Sequence, residues 1–333
     1  MPSTRWRRAL STDRKSRVRV GKRIRGMSGY EMPIPAAVFE TGLRTRISDV
    51  LLTRRGWSLA RVAYVASAVT MPAGEMSGLR FQQMGLRENF GSSPVALVTG
   101  ASSGIGLATA RDLSLQGFRV VLAARRAERL HEIASEIGPL AFPVVLDLQN
   151  SKDIDSFAAS LPEDFRSIDV LINSAGHDLG GIAKFEAGST KVLAGIIETN
   201  VQGLIRLTHV VLQGMLSRRR GHIINIGSDL ALRPRAQRSV YGASKAAVHA
   251  FSSTLRAELA GSGVRVSEIM PGLTRSEFAL TRLHGDQNKA DAFFATGGIP
   301  LEAEDVARAV VYVLSEPPGV TIEQMVMVSS ERP

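Results

Sequence analysis

The run Val98-Thr-Gly-Ala-Ser-Ser-Gly-Ile-Gly106 does most to limit how this chain can fold. Val95-Ala-Leu-Val98 leads into it and reads as a strand, and residues 104–116 behind it have helical periodicity. Glycines at 100, 104 and 106 let the backbone turn tightly between the two and approach a pyrophosphate, whose charge a helix N-terminus stabilises. Their spacing is G-x-x-x-G-x-G, not the commoner G-x-G-x-x-G, and the plainer alternative is a tight strand-to-helix turn. Gly100, Ser102, Ser103, Gly104, Ile105 and Gly106 are therefore candidate nucleotide contacts.

Downstream, short apolar runs alternate with amphipathic stretches, which predicts βαβ units and a parallel sheet. Strands are expected at 119–123, 142–146, 169–173, 222–226, 264–269 and, as a last edge strand, 325–328. Helices are expected at 127–137, 151–160, 240–261 and 302–315, with one long helix near 190–217. This is an α/β fold, a doubly wound parallel sheet (Rossmann fold) forming a single domain over residues 94–333.

The first 93 residues differ from the rest. They carry 17 of the 41 basic residues and 6 of the 31 acidic ones, leaving 24 and 25 for residues 94–333. The formal net charge of +10 thus belongs to the N-terminal stretch, and the domain offers no basic stripe for nucleic acid. Residues 5–25 hold eight arginines and one acid, so this stretch is expected to be a disordered basic extension. The apolar run 57–71 is interrupted by Arg61 and too short to cross a bilayer, so no membrane partner is expected. An over-extended reading frame starting in fact at Met84, a tail without function, an organelle transit peptide and a surface-binding tail all remain open for this segment. The chain has no cysteine, which excludes disulfides, thiolate metal sites and cysteine nucleophiles and fits a reducing, cytoplasmic setting. No metal site is expected.

The tip of the second strand is where a ribose is read. An acid there would bind the 2′-OH of NAD, but the residues are Ala123-Ala-Arg125-Arg126, and arginine suits a 2′-phosphate. NADP is the expected cofactor, with solvated helix-start charges as the alternative role for Arg125 and Arg126. Asp147, closing the third strand, can accept from an adenine amino group or cap the next helix.

Tyr241 and Lys245 lie four residues apart on a predicted helix and so share a face. An ammonium beside a phenol favours phenolate and is expected to pull the tyrosine pKa down. Ser228, delivered from a strand end, can hold a substrate oxygen next to that phenol. Together these residues suit proton transfer in a C–OH/C=O couple.

With these residues in hand, the chain resembles the short-chain dehydrogenase/reductase family across residues 94–333. The resemblance rests on T-G-A-S-S-G-I-G at 99–106, Asn173-Ser-Ala-Gly176, Asn200 in Thr199-Asn-Val-Gln-Gly203, then Ser228, Tyr241 and Lys245, and Pro271-Gly272. Ser174 departs from the usual N-N-A-G and touches no catalytic group. The resemblance implies that Tyr241 is the general acid/base, and that Lys245 lowers its pKa and holds the nicotinamide ribose. It implies that Ser228 orients the substrate oxygen and Asn200 holds a relay water. It also implies cofactor contacts from Leu148, Asn173, Ala175, Gly176, Pro271, Gly272 and Thr274. Ala124 to Leu130, Ser160-Leu-Pro162, Gly221 to Ser228 and Val320 to Met327 resemble the NADP-dependent 3-hydroxy acid (serine/allo-threonine) dehydrogenase branch. A small 3-hydroxy acid is then the expected substrate. The alternatives are a reductase of a larger ketone or aldehyde, including 3-oxoacyl types, and a non-catalytic nucleotide sensor.

Between Ser228 and Tyr241 lie Arg233, Arg235 and Arg238; Arg233 or Arg235 is expected to pair with a substrate carboxylate, with surface charge as the alternative. His177 and Asp178 either reach the substrate or are structural. Residues 273–298 are expected to form a lid hinged at Gly285, Gly297 and Gly298. The resemblance further implies a homotetramer built through the helices at 190–217 and 240–261.

Overall fold

The structure is a computed structural model and describes residues 23–25, 31–33, 85–86, 88–179, 184–296 and 299–331. The expected basic extension, the apolar run 57–71 and Met84 lie outside the described residues, apart from a short antiparallel pairing of Arg23–Arg25 with Glu31–Pro33.

A second compact unit begins at Gly78 and contains a seven-stranded sheet. Its strands are β1 (Val95–Thr99), β2 (Arg119–Ala124), β3 (Ala141–Val145), β4 (Ile168–Asn173), β5 (Gly221–Ile226), β6 (Val264–Pro271) and β7 (Gln324–Met327). They lie in the order β7-β6-β5-β4-β1-β2-β3 with every neighbouring pair parallel. Helices follow as α1 (Gly104–Leu115), α2 (Ala127–Ile137), α3 (Ser151–Ser160), α4 (Thr190–Ile197), α5 (Leu204–Arg218), α6 (Ser239–Glu258), α7 (Glu277–Arg282), α8 (Gln287–Thr296) and α9 (Ala303–Ser315).

Successive side chains of a strand point to opposite faces, and a parallel sheet covered on both faces must therefore be apolar on both. β1 shows this directly. Ala96 and Val98 join the core under α1, α2 and α9, whereas Val95 and Leu97 join the core under α3, α5 and α6. The strand order reverses direction between β1 and β4, which opens a crevice beyond their carboxyl ends.

The helix expected over 190–217 is interrupted. Glu198–Gly203 form a π-helical segment between α4 and α5. Such a segment fits an extra residue into one turn and re-aims its side chains, a local change that apolar periodicity does not report. The expected lid contains α7 and α8; Gly285 has φ +84, and Gly297 and Gly298 lie outside the described residues.

The folded unit also reaches upstream of the boundary expected at residue 94. Leu86 and Phe90 are buried in the core, and the Phe90 ring meets Phe118 edge-on at 5.8 Å. Asn89 Nδ2 donates to the carbonyls of Leu314 and Glu316, both at 2.7 Å, and so satisfies the C-terminal end of α9. Phe90→Ala should destabilise the domain by about 3–5 kcal/mol in urea unfolding; a loss under about 0.5 kcal/mol would place this segment outside the cooperative unit.

Candidate active site

Loops at the carboxyl ends of the strands enclose a cleft of about 550 Å³. Its cofactor half starts at the glycine-rich turn. Gly100 and Gly104 have φ of +68 and +52, and a Cβ at Gly106 would overlap the Gly100 carbonyl oxygen. Only glycine permits this approach, which brings the N-terminus of α1 against the cleft. Thr99 ties the two sides of the switch point together: its Oγ1 accepts from the amides of Ser174 and Ala175, each at 3.0 Å.

Ser102, Ser103, Ile105, Arg125, Arg126, Asp147, Leu148, Ala175, Gly176, Pro271, Gly272 and Thr274 all line the cleft, as expected from the sequence. Arg125 is exposed at the rim; its charge, after burial itself, holds the His177 ring below the usual histidine range. Arg126 is already engaged. It donates to the Ser102 hydroxyl and carbonyl and pairs with Glu277 of α7 at 2.9 Å. Asp147 does not cap the next helix, since Asn150 does so by accepting from the Lys152 amide. One Asp147 oxygen accepts from the Gln149 amide at 3.0 Å, and the residue faces the cleft.

Two expected contacts are absent from the lining. Asn173 points beneath the floor, donating to Thr208 Oγ1 at 3.0 Å and Asn225 Oδ1 at 2.8 Å. Asn200, on the π segment, accepts from the His177 amide and donates to the His177 carbonyl and the Ser244 hydroxyl. Both ends of its amide are thus committed to positioning residue 177, and its side chain does not reach the cleft.

The proton-handling groups sit where α6 passes the end of β5. Tyr241 and Lys245 share a helix face; both are nearly buried and both line the cleft. The Tyr241 hydroxyl is hydrogen-bonded to Ser228, whose Oγ also accepts from the Leu230 amide at 3.2 Å. Lys245 Nζ donates to the Ile226 carbonyl at 2.8 Å and lies 5.8 Å from the Tyr241 ring centroid. The phenol is not pulled down as expected. Burial pushes it up to about 12, against the opposing charge of Arg282 and the Ser228 hydrogen bond. Burial likewise pushes Lys245 down to about 8. The sequence spacing gives the shared face but not the desolvation that outweighs the charge.

Arg282 was not legible in the sequence as a site residue. It is a nearly buried arginine of α7, with its guanidinium 5.9 Å from the Tyr241 ring and 4.9 and 5.4 Å from those of Phe278 and Phe293. Its Nε lies 2.9 Å from Asp178, and Arg238 donates to the same carboxylate at 3.3 Å. Burial raises Asp178 to about 6 despite both arginines. Of the arginines expected to meet a carboxylate, Arg235 is held by Asp229 at 2.7 Å and Arg233 does not line the cleft. Arg238 and Arg282 do line it.

A nucleotide-binding turn at the switch point, joined to a serine, tyrosine and lysine on neighbouring strand and helix ends, defines an alcohol/carbonyl oxidoreductase site. The short chain dehydrogenase family profile matches residues 94–286, and the chain belongs to that family. It is 41% identical over 234 residues to the NADP-dependent 3-hydroxy acid dehydrogenase YdfG of Escherichia coli (strain K12), covering 70% of this chain and 94% of the relative. It is 38% identical over 239 residues to sulfoacetaldehyde reductase 2 of Chromohalobacter salexigens, covering 70% and 93%. The closed form of serine dehydrogenase complexed with NADP+ superposes with a TM-score of 0.68 at 40% identity, over 70% of this chain and 94% of that one. No helix among the described residues is long and apolar enough to cross a membrane.

Gly106→Ala should abolish dinucleotide binding, because the added methyl meets backbone and not a movable side chain. Titration of the variant with NADPH, followed by nicotinamide fluorescence, checks this; a wild-type Kd would remove the glycine-rich turn from the cofactor site.

Proposed function

We propose that this chain is an NADP-dependent oxidoreductase that interconverts a small 3-hydroxy acid and its carbonyl partner. The observation that carries the substrate class is the convergence of Arg238 and Arg282 on the buried Asp178 beside Tyr241. Among the described residues two arginines converge on this one carboxylate, and a guanidinium beside the phenol suits a substrate anion. The substrates for which the similar proteins are named fit the same chemistry. In a 3-hydroxy acid, in serine and in sulfoacetaldehyde, one carbon separates the reacting carbon from the anionic group.

The cofactor half of the cleft fits NADP. The glycine-rich turn and the α1 N-terminus would hold the pyrophosphate, Arg125 and Arg126 the 2′-phosphate, and Asp147 the adenine. When bound, NADP supplies the hydride acceptor or donor at the C4 position of its nicotinamide. The chain's own residues handle the proton. Tyr241 exchanges it with the substrate oxygen, and Ser228, already hydrogen-bonded to that phenol, holds the same oxygen in place. Lys245 presents its ammonium to the cleft from the next turn of α6 and would meet the ribose hydroxyls. The reading as a reductase of larger ketones has less support, because Phe278, Phe293 and Arg282 pack together over Tyr241. A tetramer formed through α5 and α6 and a cytoplasmic location accord with this proposal; Ile205 stands exposed on α5.

Tyr241→Phe should lower kcat for NADP+-linked oxidation of 3-hydroxybutyrate by about 10²–10⁴-fold while leaving NADPH binding intact. Unchanged turnover would end the proposal. Arg282→Met, made with Asp178→Asn so that no buried carboxylate is stranded, should reduce kcat/KM for 3-hydroxybutyrate about 10- to 100-fold but spare 2-butanol. Equal losses on both substrates would remove the acid-binding role. Asp178 must also yield Arg282 to the substrate. Below a pH of about 6 it becomes protonated and neutral, so KM for the acid should fall there, and Asp178→Asn should flatten that dependence.

A further inference from the structure

The face of α6 that carries Tyr241 and Lys245 carries His249 at the next four-residue step. Nothing in the chemistry above uses it. His249 Nδ1 lies 2.8 Å from Oε2 of Glu268, a β6 residue with no exposed surface. A carboxylate in the middle of a parallel sheet is costly, and the neighbouring positions Val266, Ile269 and Met270 show what the core accepts there instead. Glu268 Oε1 has no hydrogen-bond partner among the described residues. It is lodged against Gly227, where any Cβ would overlap it. Gly227 in turn stands between Ile226, whose carbonyl receives the Lys245 ammonium, and Ser228. The carboxylate therefore backs directly onto the strand end from which the lysine is held.

We propose that Glu268, clamped by His249, is a positioning residue that keeps the buried Lys245 in its ammonium form. The inference rests on the proposed role of Lys245 in the reaction. Burial pushes Lys245 down to about 8, and Glu268 is the charged group that opposes this. Burial raises Glu268 itself, against the His249 hydrogen bond and the charges of His249, Lys245 and Arg256. All three of those groups belong to α6. The flanking strands present Asn225 of β5 and Gln324 of β7 in register with Glu268, neither of them charged, and the Glu323 carbonyl accepts from the Glu268 amide.

The test reads the lysine itself. The chain has seven lysines, so ¹³Cε-lysine labelling gives few signals, and Lys245→Arg identifies the one that matters. The Lys245 titration midpoint should fall by about one pH unit in Glu268→Gln. It should fall equally in Glu268→Met, an apolar replacement of similar volume that covers the case in which the glutamine variant does not fold. Glu268→Asp should restore it. Oxidation of 3-hydroxybutyrate at a pH of about 8 should drop roughly fivefold in the first two variants, following the charged fraction of the lysine. A midpoint unchanged in both variants, or equally lowered in Glu268→Asp, overturns the proposal even if stability or turnover falls. Wild-type turnover in Lys245→Met would instead sink the catalytic reading of the lysine, a failure that the titration result does not mimic.

Discussion

Every functional group described above depends on one constraint: an all-parallel sheet buried on both faces leaves only its ends for chemistry. The faces of β1 are consumed by two separate cores, so no polar side chain can project from mid-strand without a compensating partner. Parallel pairing directs the carboxyl ends of β1 to β6 to the same edge, and the reversal between β1 and β4 separates the loops enough to admit a ligand. The glycine-rich turn, Arg125, Arg126, Ser228 and α7 all border the cleft there. α6 then crosses that edge and brings the tyrosine and lysine to it.

Placing ionisable groups at such an edge sets burial against charge. Tyr241 and Lys245 are shifted in opposite directions, up to about 12 and down to about 8, and burial dominates both. Both shifts disfavour the charged form, so the protein must supply counter-charges or the pair becomes inert. Two such groups are present. Arg282 of α7 lies 5.9 Å from the Tyr241 ring, and Glu268, projecting from β6 towards α6, carries the charge that opposes the burial of Lys245. The tyrosine and lysine that the four-residue spacing brings together are thus each met by an opposing charge from another element.

What the sequence discloses follows from the range over which each signal acts. Strand and helix positions come from local apolar periodicity, and all seven strands of the sheet fall where that pattern puts them. The glycine turn, the arginines at the tip of β2 and the tyrosine–lysine face are also local, each set by residues within about ten positions of one another. Arg282 and Glu268 are different. Nothing in Glu277-Phe-Ala-Leu-Thr-Arg282 separates a buried arginine from a solvated one, because its partner Asp178 is remote in the chain. Glu268 sits in a run that reads simply as strand, and only the fold reveals that its carboxylate meets His249 and acts on the charge of Lys245. The interruption at 198–203 is hidden for another reason: one extra residue in a turn shifts the apolar pattern by a single position, too small a signal to separate from an ordinary long helix. The same holds for Asn173, whose side chain serves Thr208 and Asn225 below the cleft floor.

α7, a helix of only six residues, borders both halves of the cleft. At its start, Glu277 pairs with Arg126, one of the two arginines placed to read a 2′-phosphate; at its end, Arg282 pairs with Asp178 beside the phenol. Each pair sets a protein carboxylate against an arginine suited to a ligand anion. A phosphate at Arg126 would compete with Glu277, and an acid at Arg282 would compete with Asp178; both competitions involve residues of this one six-residue helix. The exposed Arg126–Glu277 pair is worth little by itself. The Arg282–Asp178 pair at the other end of the same helix is nearly buried, so breaking it would leave an uncompensated charge beside Tyr241.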